Sequence, residues 1–359
     1  FLNTILKKDT DFLQYFKISD NILTLANDEI IIEKDIIIPQ NYTVKIKSGQ
    51  KIKIINNSLI LSHSPWEVNG ETSKVKIVGD KNNFGGGIFI KNKNKISKFQ
   101  NVKFEYLAGV EERIFHNPYP KDNKFVITSY RGVKKNDYKK NVIYLKSEEY
   151  MTSEFFKLTG AITIYMGKTI FDNCEFKKIS SEDAINLIKT TSSLNNLSFD
   201  ENSSDSIDID FGIAKITNSK FKNIEGDGID VSGSEVEINK INFYNISDKA
   251  ISVGEESLAN IKNIYGEKSF IGIAVKDGSH TNVSKVHFNN VQFPFASYQK
   301  KKFYNFPTIK INNEIMLENY TKKFLKDKDS TIIYKNETIK KYLDKILPFV
   351  YKAKDESTS

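Results

Sequence analysis

Five isoleucines recur at a constant interval of 22 residues in the second half of the chain. They are Ile185, Ile207, Ile229, Ile251 and Ile273, and Phe295 takes the next position. A fixed period of about 20–50 residues is typical of stacked repeat architectures, in which each repeat packs only against its neighbours. The interval therefore predicts a solenoid in which each repeat forms one coil.

The residues around each isoleucine alternate between apolar and polar. Ile185 and Leu187 fall on one face of an extended segment, and Asn186 and Ile188 fall on the other, as in a half-buried strand. Two or three short strands in each repeat leave no room for a crossover helix, so the pattern favours a parallel β-helix. The leucine and asparagine signature of leucine-rich repeats, which share this period, is absent.

Aromatic residues form a second column at nearly the same interval: Phe176, Phe199, Phe221, Phe243, Tyr265 and Phe288. Asn223, Asn245 and Asn290 each follow an aromatic residue by two positions. Asparagine tolerates left-handed backbone geometry, so these residues are predicted to form a ladder of turns.

The repeat pattern divides the chain into segments. Residues 1–30 have a loosely helical period and are predicted to cap the first coil. The β-helix is predicted over 30–305, with an insertion at 110–157 that contains both arginines of the chain. Residues 306–359 are assigned to a C-terminal cap and tail, with helical spacing over 320–352.

Composition narrows the classes of partner. The net charge of +8, from 53 basic and 45 acidic residues, favours acidic partners by long-range attraction, or serves solubility alone. Arg113 and Arg131 are the only arginines, and no nucleic-acid motif is found, so no nucleic-acid partner is predicted.

No apolar run is long enough for a transmembrane helix. The single cysteine, Cys174, excludes an internal disulfide and is predicted to be structural.

The isoleucine interval also aligns the residues between the isoleucines into vertical columns, because adjacent parallel coils lie about 4.8 Å apart. Three columns point outward. They read Asp183, Asp205, Asp227, Lys249; then Asn186, Asp208, Asp230, Ser252; and then Ile188, Asp210, Ser232, Gly254, Lys276, Tyr298. Carboxylates at this spacing repel each other by about 1 kcal/mol in water. A Ca²⁺ ion, a shared proton, or the two lysines are therefore expected to compensate.

Two interpretations of this acidic patch remain open. Asp183, Asp205 and Asp227 precede strands and are interpreted as turn caps. Asp208, Asp210 and Asp230 lie in strands, where aspartate is disfavoured, so they are predicted to act as metal ligands. Asp208 and Asp230 are also candidate catalytic residues, together with Lys249 and Lys276. Alternatively, the two lysines are only ion-pair partners of the aspartates.

The segment Gly226-Asp-Gly-Ile-Asp230, with Ser247-Asp-Lys one coil later, resembles the pectin-lyase-like right-handed parallel β-helix superfamily. The closest resemblance is to its polygalacturonase-type hydrolases, where Asp227 and Asp248 would match two motif aspartates. Lys249 replaces the second aspartate of the pair, and the Gly-His-Gly and Arg-x-Lys elements are missing. Inverting hydrolysis needs an acid and a base on opposite sides of the bond, so it ranks behind other reactions.

Other branches of this superfamily are polysaccharide lyases and uronate epimerases, which remove the proton next to a uronate carboxylate. The resemblance implies an all-β, right-handed parallel β-helix acting on an acidic, uronate-containing polysaccharide. Arg113, Arg131, Tyr298 and His280 are the candidate substrate-binding residues, and Ca²⁺ is the candidate cofactor. The alternative is a non-catalytic glycan-binding, adhesin or exopolysaccharide-assembly module of bacterial origin. A secreted or cell-surface location is expected, with any signal peptide removed or outside this sequence.

Overall fold

The strands of the chain stack into one long parallel sheet system. The computed structural model describes residues 11–92, 95–109, 159–312 and 314–350, and the backbone of 113–119, 124–129 and 155–157. A 3-10 turn at Asp11–Gln14 comes first. The strands before the insertion are β1 Phe16–Ser19, β2 Ile22–Leu25, β3 Glu29–Ile32, β4 Ile36–Ile38, β5 Thr43–Ile46, β6 Lys51–Ile54, β7 Leu59–Ser62, β8 Trp66–Asn69, β9 Val75–Val78, β10 Gly87–Lys91, β11 Ile96–Gln100 and β12 Val102–Glu105.

The remaining strands follow in chain order. They are β13 Arg113–Tyr119, β14 Lys124–Ser129, β15 Phe155–Lys157, β16 Gly160–Asp172, β17 Glu175–Lys177, β18 Asp183–Asn195, β19 Ser198–Asn202, β20 Asp205–Asp210, β21 Ile213–Ile224, β22 Ile229–Ser232, β23 Glu235–Gly254, β24 Leu258–Lys276, β25 His280–Tyr298, β26 Thr308–Ile311, β27 Ile315–Glu318, β28 Phe324–Lys326, β29 Thr331–Tyr334 and β30 Glu337–Thr338. A short α-helix at 346–350 ends the described chain.

The isoleucine interval corresponds to one coil, as predicted. Ile185 pairs with Ile207, Ile207 with Ile229, and the series continues through Ile251 and Ile273 to Phe295, always in parallel strands. All six side chains are fully buried. About 11 such turns of roughly 22–23 residues build the solenoid, which confirms the predicted right-handed parallel β-helix.

The aromatic column is a stack of rings inside the coils. Neighbouring rings of Phe104, Phe176, Phe199, Phe221 and Phe243 lie nearly parallel, with centroids 4.7–4.9 Å apart. The prediction is wrong at Tyr265, which is exposed, because Gly266 pairs with Phe243 and with Phe288. A Cβ atom on Gly266 would lie 2.6 Å from the Phe288 ring, so the glycine leaves room for that ring.

The asparagine ladder is confirmed at the turns. Asn223, Asn245 and Asn290 have positive φ angles of 54°, 58° and 58°. The amide of Asn245 donates to Asn223 Oδ1 at 3.0 Å, so the turns of successive coils are bonded to one another. Cys174 is buried, and burial raises the pKa of its thiol to about 12, which keeps it protonated.

The ends of the chain differ in detail from the sequence predictions. Parallel pairing already begins at β2, which pairs with β5, and it continues to β29, which pairs with β26. The helical prediction for 320–352 is wrong over its first part, which contains β28 and β29, because their apolar residues fill the last coils. The division into a cap at 1–30, a β-helix at 30–305 and a cap at 306–359 stays a prediction.

Two features lie outside the coil interior. Strands β13, β14 and β15, all within the predicted insertion, form a separate antiparallel sheet. A second apolar cluster joins β24 and β25 to the C-terminal segment and includes Ile271, Phe293, Ala296, Ile346 and Val350. The C-terminal helix therefore covers the outward face of the last long coils.

Among the described residues, none of the helices has the length and apolar character needed to cross a membrane.

Candidate functional site

The carboxylate face, as we name the outward surface of β18, β20, β22 and the end of β23, carries the three predicted columns. In the first column, Asp183 pairs with Asp205. The amide of Asp227 donates to Asp205 Oδ1 at 2.7 Å, and the amide of Lys249 donates to Asp227 Oδ1 at 3.0 Å. Each of these two carboxylates thus accepts a backbone hydrogen bond from the next coil. This arrangement matches the capping role inferred from the sequence.

The second and third columns lie beside the first. Asn186, Asp208, Asp230 and Ser252 are consecutive partners in register. The Asn186 amide donates to Asp208 Oδ2 at 2.9 Å and to Asp210 Oδ2 at 3.1 Å. One amide therefore ties the carboxyl groups of both columns together.

Two lysines supply the positive charge. Lys249 Nζ lies 2.9 Å from Asp227 Oδ1 and 2.9 Å from Asp248 Oδ1, and its side chain is only 12% exposed. Lys276 Nζ lies 3.9 Å from Asp230 Oδ1, and its side chain is 9% exposed. The ion-pair role that the sequence left open for both lysines is therefore present, and it does not exclude a chemical one.

Burial and mutual repulsion raise the pKa values of several carboxyls. Burial, followed by the Asp227 charge, raises the pKa of Asp205 to about 8. Burial, with Glu182 and Asp210 nearby, raises the pKa of Asp183 to about 7, and its Oδ2 atom has no hydrogen-bond partner. Burial next to Asp183 raises the pKa of Asp208 well above its usual range. The raised pKa values favour the protonated forms of these groups, and protonation lowers the repulsion among the crowded carboxyls.

Asp230 is the opposite case. Burial alone would raise its pKa, but Lys276 and Lys249 outweigh burial and lower it. Burial likewise opposes the charged form of Lys249, but Asp227 and Asp248 raise its pKa well above the usual value. The pKa of Lys276 is raised by Asp230 against the effect of burial. The face therefore combines an ionised carboxylate and two ammonium groups with protonated carboxyls.

The carboxylates that converge differ from the predicted metal ligands. Oxygen atoms of Asp205, Asp227 and Asp230 lie within 4.8 Å of one another, a spacing that one cation can bridge. Asp208 and Asp210 were predicted with Asp230, but they do not belong to this group, and both accept hydrogen bonds from Asn186. The lysine at Asp227 Oδ1 competes with a cation for that atom.

The predicted substrate-binding residues are not all in one place. Tyr298 pairs with Lys276 and is buried, and burial raises the pKa of its hydroxyl. His280 pairs with Leu258 in a different column and is exposed, so it is not brought to the carboxylate face. Arg113 begins β13, of which only the backbone is described, and Arg131 lies outside the described residues. The contributions of both arginines stay predictions.

Sequence reasoning left some members of the site out. Asp205 and Asp227 were interpreted mainly as turn caps and were not among the predicted metal ligands, yet they share the convergent group with Asp230. The sequence feature that could have identified them is their column. An aspartate that caps a turn on this face still brings its carboxylate close to the aspartates in the neighbouring strands. Asp183 belongs to the same column, and in the structure it is buried with one carboxyl oxygen, Oδ2, that has no hydrogen-bond partner.

Comparisons with known proteins bear on the fold alone. No protein-family model matches the chain, and no curated protein matches it. Among solved structures it is similar to the periplasmic alginate epimerase AlgG, with 10% identity over 90% of this chain and 82% of that chain, and a TM-score of 0.39. It is also similar to the Dettilon tailspike protein, with 12% identity over 87% and 56% of the two chains and a TM-score of 0.41.

A third similar structure is the catalytic domain of a GH87 alpha-1,3-glucanase in complex with nigerose. The identity is 10% over 80% of this chain and 62% of that chain, and the TM-score is 0.39. Similarity this distant carries no inference about chemistry. The parallel register of the coils and the internal phenylalanine stack make the chain a parallel β-helix.

Proposed function

We propose that the protein acts on a uronate-containing polysaccharide at the carboxylate face, by β-elimination or epimerisation. The observation that carries the proposal is the convergence of Asp205, whose pKa is raised, and Asp230, whose pKa is lowered, within 4.8 Å of each other. Carboxyl groups whose surroundings move their pKa values apart are suited to serve as acid and base in one reaction.

The two lysines fit the task of charge neutralisation. Because their pKa values are raised, Lys249 and Lys276 stay protonated at neutral pH and are poor proton acceptors. An ammonium group beside a uronate carboxylate stabilises the negative charge that develops when the neighbouring carbon loses its proton. In this proposal both lysines are catalytic residues that act through their charge.

The proton transfers then fall to the aspartates. Asp230, which is ionised, accepts the proton from the carbon next to the uronate carboxylate. In β-elimination the electron pair forms the new carbon–carbon double bond and the glycosidic bond breaks. Asp205, which is protonated, gives its proton to the departing oxygen. In epimerisation the glycosidic bond stays intact, and a water molecule on the opposite side of the ring gives a proton to the same carbon. The resulting hydroxide is neutralised by the proton that Asp230 releases to solvent.

A polyanionic substrate needs further positive charge at this face, where carboxyl groups outnumber ammonium groups. Ca²⁺ binds carboxylate oxygens at about 2.3–2.6 Å, so Asp205, Asp227 and Asp230 offer the spacing to hold one. An ion held by all three would displace the proton of Asp205 and occupy the base Asp230, so it belongs to glycan binding, where it would join the protein to a substrate carboxylate. Arg113 and Arg131 remain candidates for the same role. A substrate of this size implies the secreted or cell-surface location proposed from the sequence.

The second candidate function is glycan binding without catalysis. It is favoured by the hydrogen bonds that occupy the aspartates, such as those from the Asp227 amide to Asp205 and from Asn186 to Asp208. Groups engaged in this way hold the coils in register whether or not a reaction takes place. In that case the face recognises a polymer and leaves it unchanged.

The test is an assay of uronate polymers with the purified chain. Unsaturated uronate ends absorb in the ultraviolet and report elimination, while proton NMR reports epimerisation, each with chelator and with added Ca²⁺. Asp230→Asn and Lys249→Met are expected to lower turnover at least a hundredfold. Lys215→Ala, which breaks an exposed ion pair with Glu237, is the matched control and should leave turnover unchanged.

The outcomes separate the candidates. A polymer that binds but shows neither product supports glycan binding and rules out the proposed reaction on that polymer. Full activity in both Asp230→Asn and Lys249→Met would show that the reaction takes place elsewhere.

A further inference from the structure

Three exposed apolar side chains share one hollow beside the carboxylate face. Phe211, Ile213 and Leu258 are 58%, 55% and 50% exposed, and they line a hollow of about 420 Å³ with Lys189, Ser234 and Glu235. We call it the Phe211 hollow. Exposed apolar groups that gather in a concave, polar-rimmed surface commonly mark a binding site.

Phe211 has an unusual backbone. Its φ angle is 53°, in the left-handed region that bulky residues disfavour, and Lys189, Gly233 and Glu255 take the same geometry at equivalent turns. A turn of this kind does not require an aromatic residue. The ring lies against Gly233 of the next coil, where a Cβ atom would be only 2.6 Å from Phe211 Cδ1. The glycine thus leaves the room that the ring occupies.

The floor of the hollow is held by serines stacked from coil to coil. Ser234 Oγ accepts the Gly212 amide at 2.9 Å, and the Ser234 amide donates to Ser257 Oγ at 3.0 Å. The Ser257 amide donates in turn to Ser279 Oγ at 3.2 Å. These bonds fix the turns that carry Phe211 and its neighbours, so the apolar surface is formed before any ligand arrives.

The chemistry of the lining matches a sugar ring. A pyranose presents an apolar face of C–H groups and a rim of hydroxyls, and the hollow offers an aromatic ring and two aliphatic side chains edged by charged and hydroxyl groups. The hollow also continues the carboxylate face, since Phe211 directly follows Asp210, which is bonded to Asn186 at 3.1 Å. A polymer on that face can therefore reach it.

We propose that the Phe211 hollow is a carbohydrate subsite, in which Phe211 stacks on one ring of the polysaccharide that the carboxylate face acts on. This inference rests on the proposed function for the identity of the polymer. In this inference the hollow contributes to the affinity for the polysaccharide and positions it on the protein. The aspartates and lysines alone carry out the reaction.

The first experiment measures affinity in the full chain. Uronate oligosaccharides of increasing length are titrated by calorimetry into the wild type, Phe211→Ala and Phe303→Ala. Phe303 is a matched control because it is an exposed phenylalanine, 79% exposed, that does not line the hollow. We expect Phe211→Ala to bind the longer oligosaccharides about tenfold more weakly, with no change in Phe303→Ala.

A second experiment reports the position directly. The chain has one tryptophan, Trp66, which is fully buried, so Phe211→Trp adds an exposed indole whose fluorescence reports its surroundings. A saturable change on adding the oligosaccharide, absent in Phe303→Trp, is expected. The subsite would be overturned if the indole fluorescence of Phe211→Trp did not change with oligosaccharide and if Phe211→Ala and Phe303→Ala bound the oligosaccharide equally well.

The results also distinguish this inference from the proposed function. If Asp230→Asn abolishes turnover while Phe211→Ala behaves as wild type, the reaction stands and the subsite fails. If the indole responds but Asp230→Asn retains full turnover, the subsite stands and the proposed reaction site fails. A fluorescence change that follows protein concentration instead of oligosaccharide would assign the hollow to contact with a second copy of the chain, and it would overturn the carbohydrate proposal.

Discussion

Two stretches of the same outward face, built by the same coil geometry, have opposite character. From β18 to β22 the first column presents Asp183, Asp205 and Asp227, whereas in β24 and β25 the same column presents Ile271 and Phe293. The second column changes from Asp208 and Asp230 to Ala274 and Ala296. The backbone is continuous across the change.

The difference lies in what covers the face. The apolar stretch packs against the C-terminal segment, where Leu325, Ile346 and Val350 are almost fully buried. The polar stretch carries its charges in ion pairs and protonated carboxyls instead. The parallel β-helix thus sets where the outward positions lie, and the side chains decide whether a position packs against the C-terminal segment or takes part in ion pairs.

The largest expected effect on stability comes from placing an aspartate in the apolar stretch of β24 and β25. Ala296→Asp would bury a carboxylate among apolar side chains and should cost about 3–5 kcal/mol of unfolding free energy. Urea unfolding measures the loss, and tryptic cleavage at Lys345 reports release of the C-terminal segment. Ala296→Ser is the control and should cost about 1 kcal/mol. Equal stabilities would show that the C-terminal segment does not exclude water from this stretch.

A slightly smaller loss of stability is expected when the acidic stretch loses the ammonium group of Lys249. Lys249→Met keeps the volume but removes the ammonium group that pairs with Asp227 and Asp248, at a cost of about 3 kcal/mol at pH 8. The cost should shrink as pH falls, because burial raises the pKa of Asp227 and protonation removes its charge. Denaturant unfolding of Lys215→Ala, an exposed pair, should show a change below about 1 kcal/mol. Similar losses in both variants would contradict a special role for burial.

The protonated carboxyls predict how stability depends on pH. The pKa of Asp205 rises from about 3.8 to about 8 on folding, so the folded chain binds more protons between these values. The stabilisation is complete below pH 4 and is lost as pH rises through 8, by up to about 1.4 kcal/mol per pH unit for one proton. Unfolding of Asp205→Asn from pH 5 to pH 8.5 should show a flatter dependence. An unchanged slope would mean that Asp205 is ionised in the folded chain.

The smallest expected effect is that of a cation. Ca²⁺ at about ten times its dissociation constant adds about 1.4 kcal/mol and should raise Tm by about 2 °C, more at pH 8 than at pH 6 because protons compete. Calorimetry of Asp230→Asn should show no such rise, whereas Glu237→Gln, an exposed carboxylate on another face, should respond as wild type. The same rise in both variants would indicate binding outside the convergent group.

Much of the fold followed from the sequence because it is periodic. A 22-residue interval of buried isoleucines gives the register of every neighbouring coil, and the alternation within each strand gives the outward columns. The prediction failed at Tyr265 because the coil containing Gly266 has one extra residue, which moves the tyrosine outside. It also failed over the first part of 320–352, where β28 and β29 complete the solenoid, whereas the helix at 346–350 agrees with the prediction.

The candidate site was predicted as columns but not as a set of ligands. Register placed Asp208 beside Asp230, yet the oxygens that converge belong to Asp205, Asp227 and Asp230. Side-chain rotation and the Asn186 hydrogen bonds decide this, and neither is written in the spacing. The same holds for Tyr298, which the register pairs with Lys276 and which is buried in the C-terminal apolar cluster.

The sequence by itself determined the coil, its period and the acidic column that ends in lysine, since each depends on neighbours at a constant distance along the chain. Tertiary structure alone decided which carboxyls are protonated, which oxygens converge and where the C-terminal segment closes the face. Those properties depend on burial and on distances of a few ångströms between side chains, and they arise only when residues far apart in the chain are packed together.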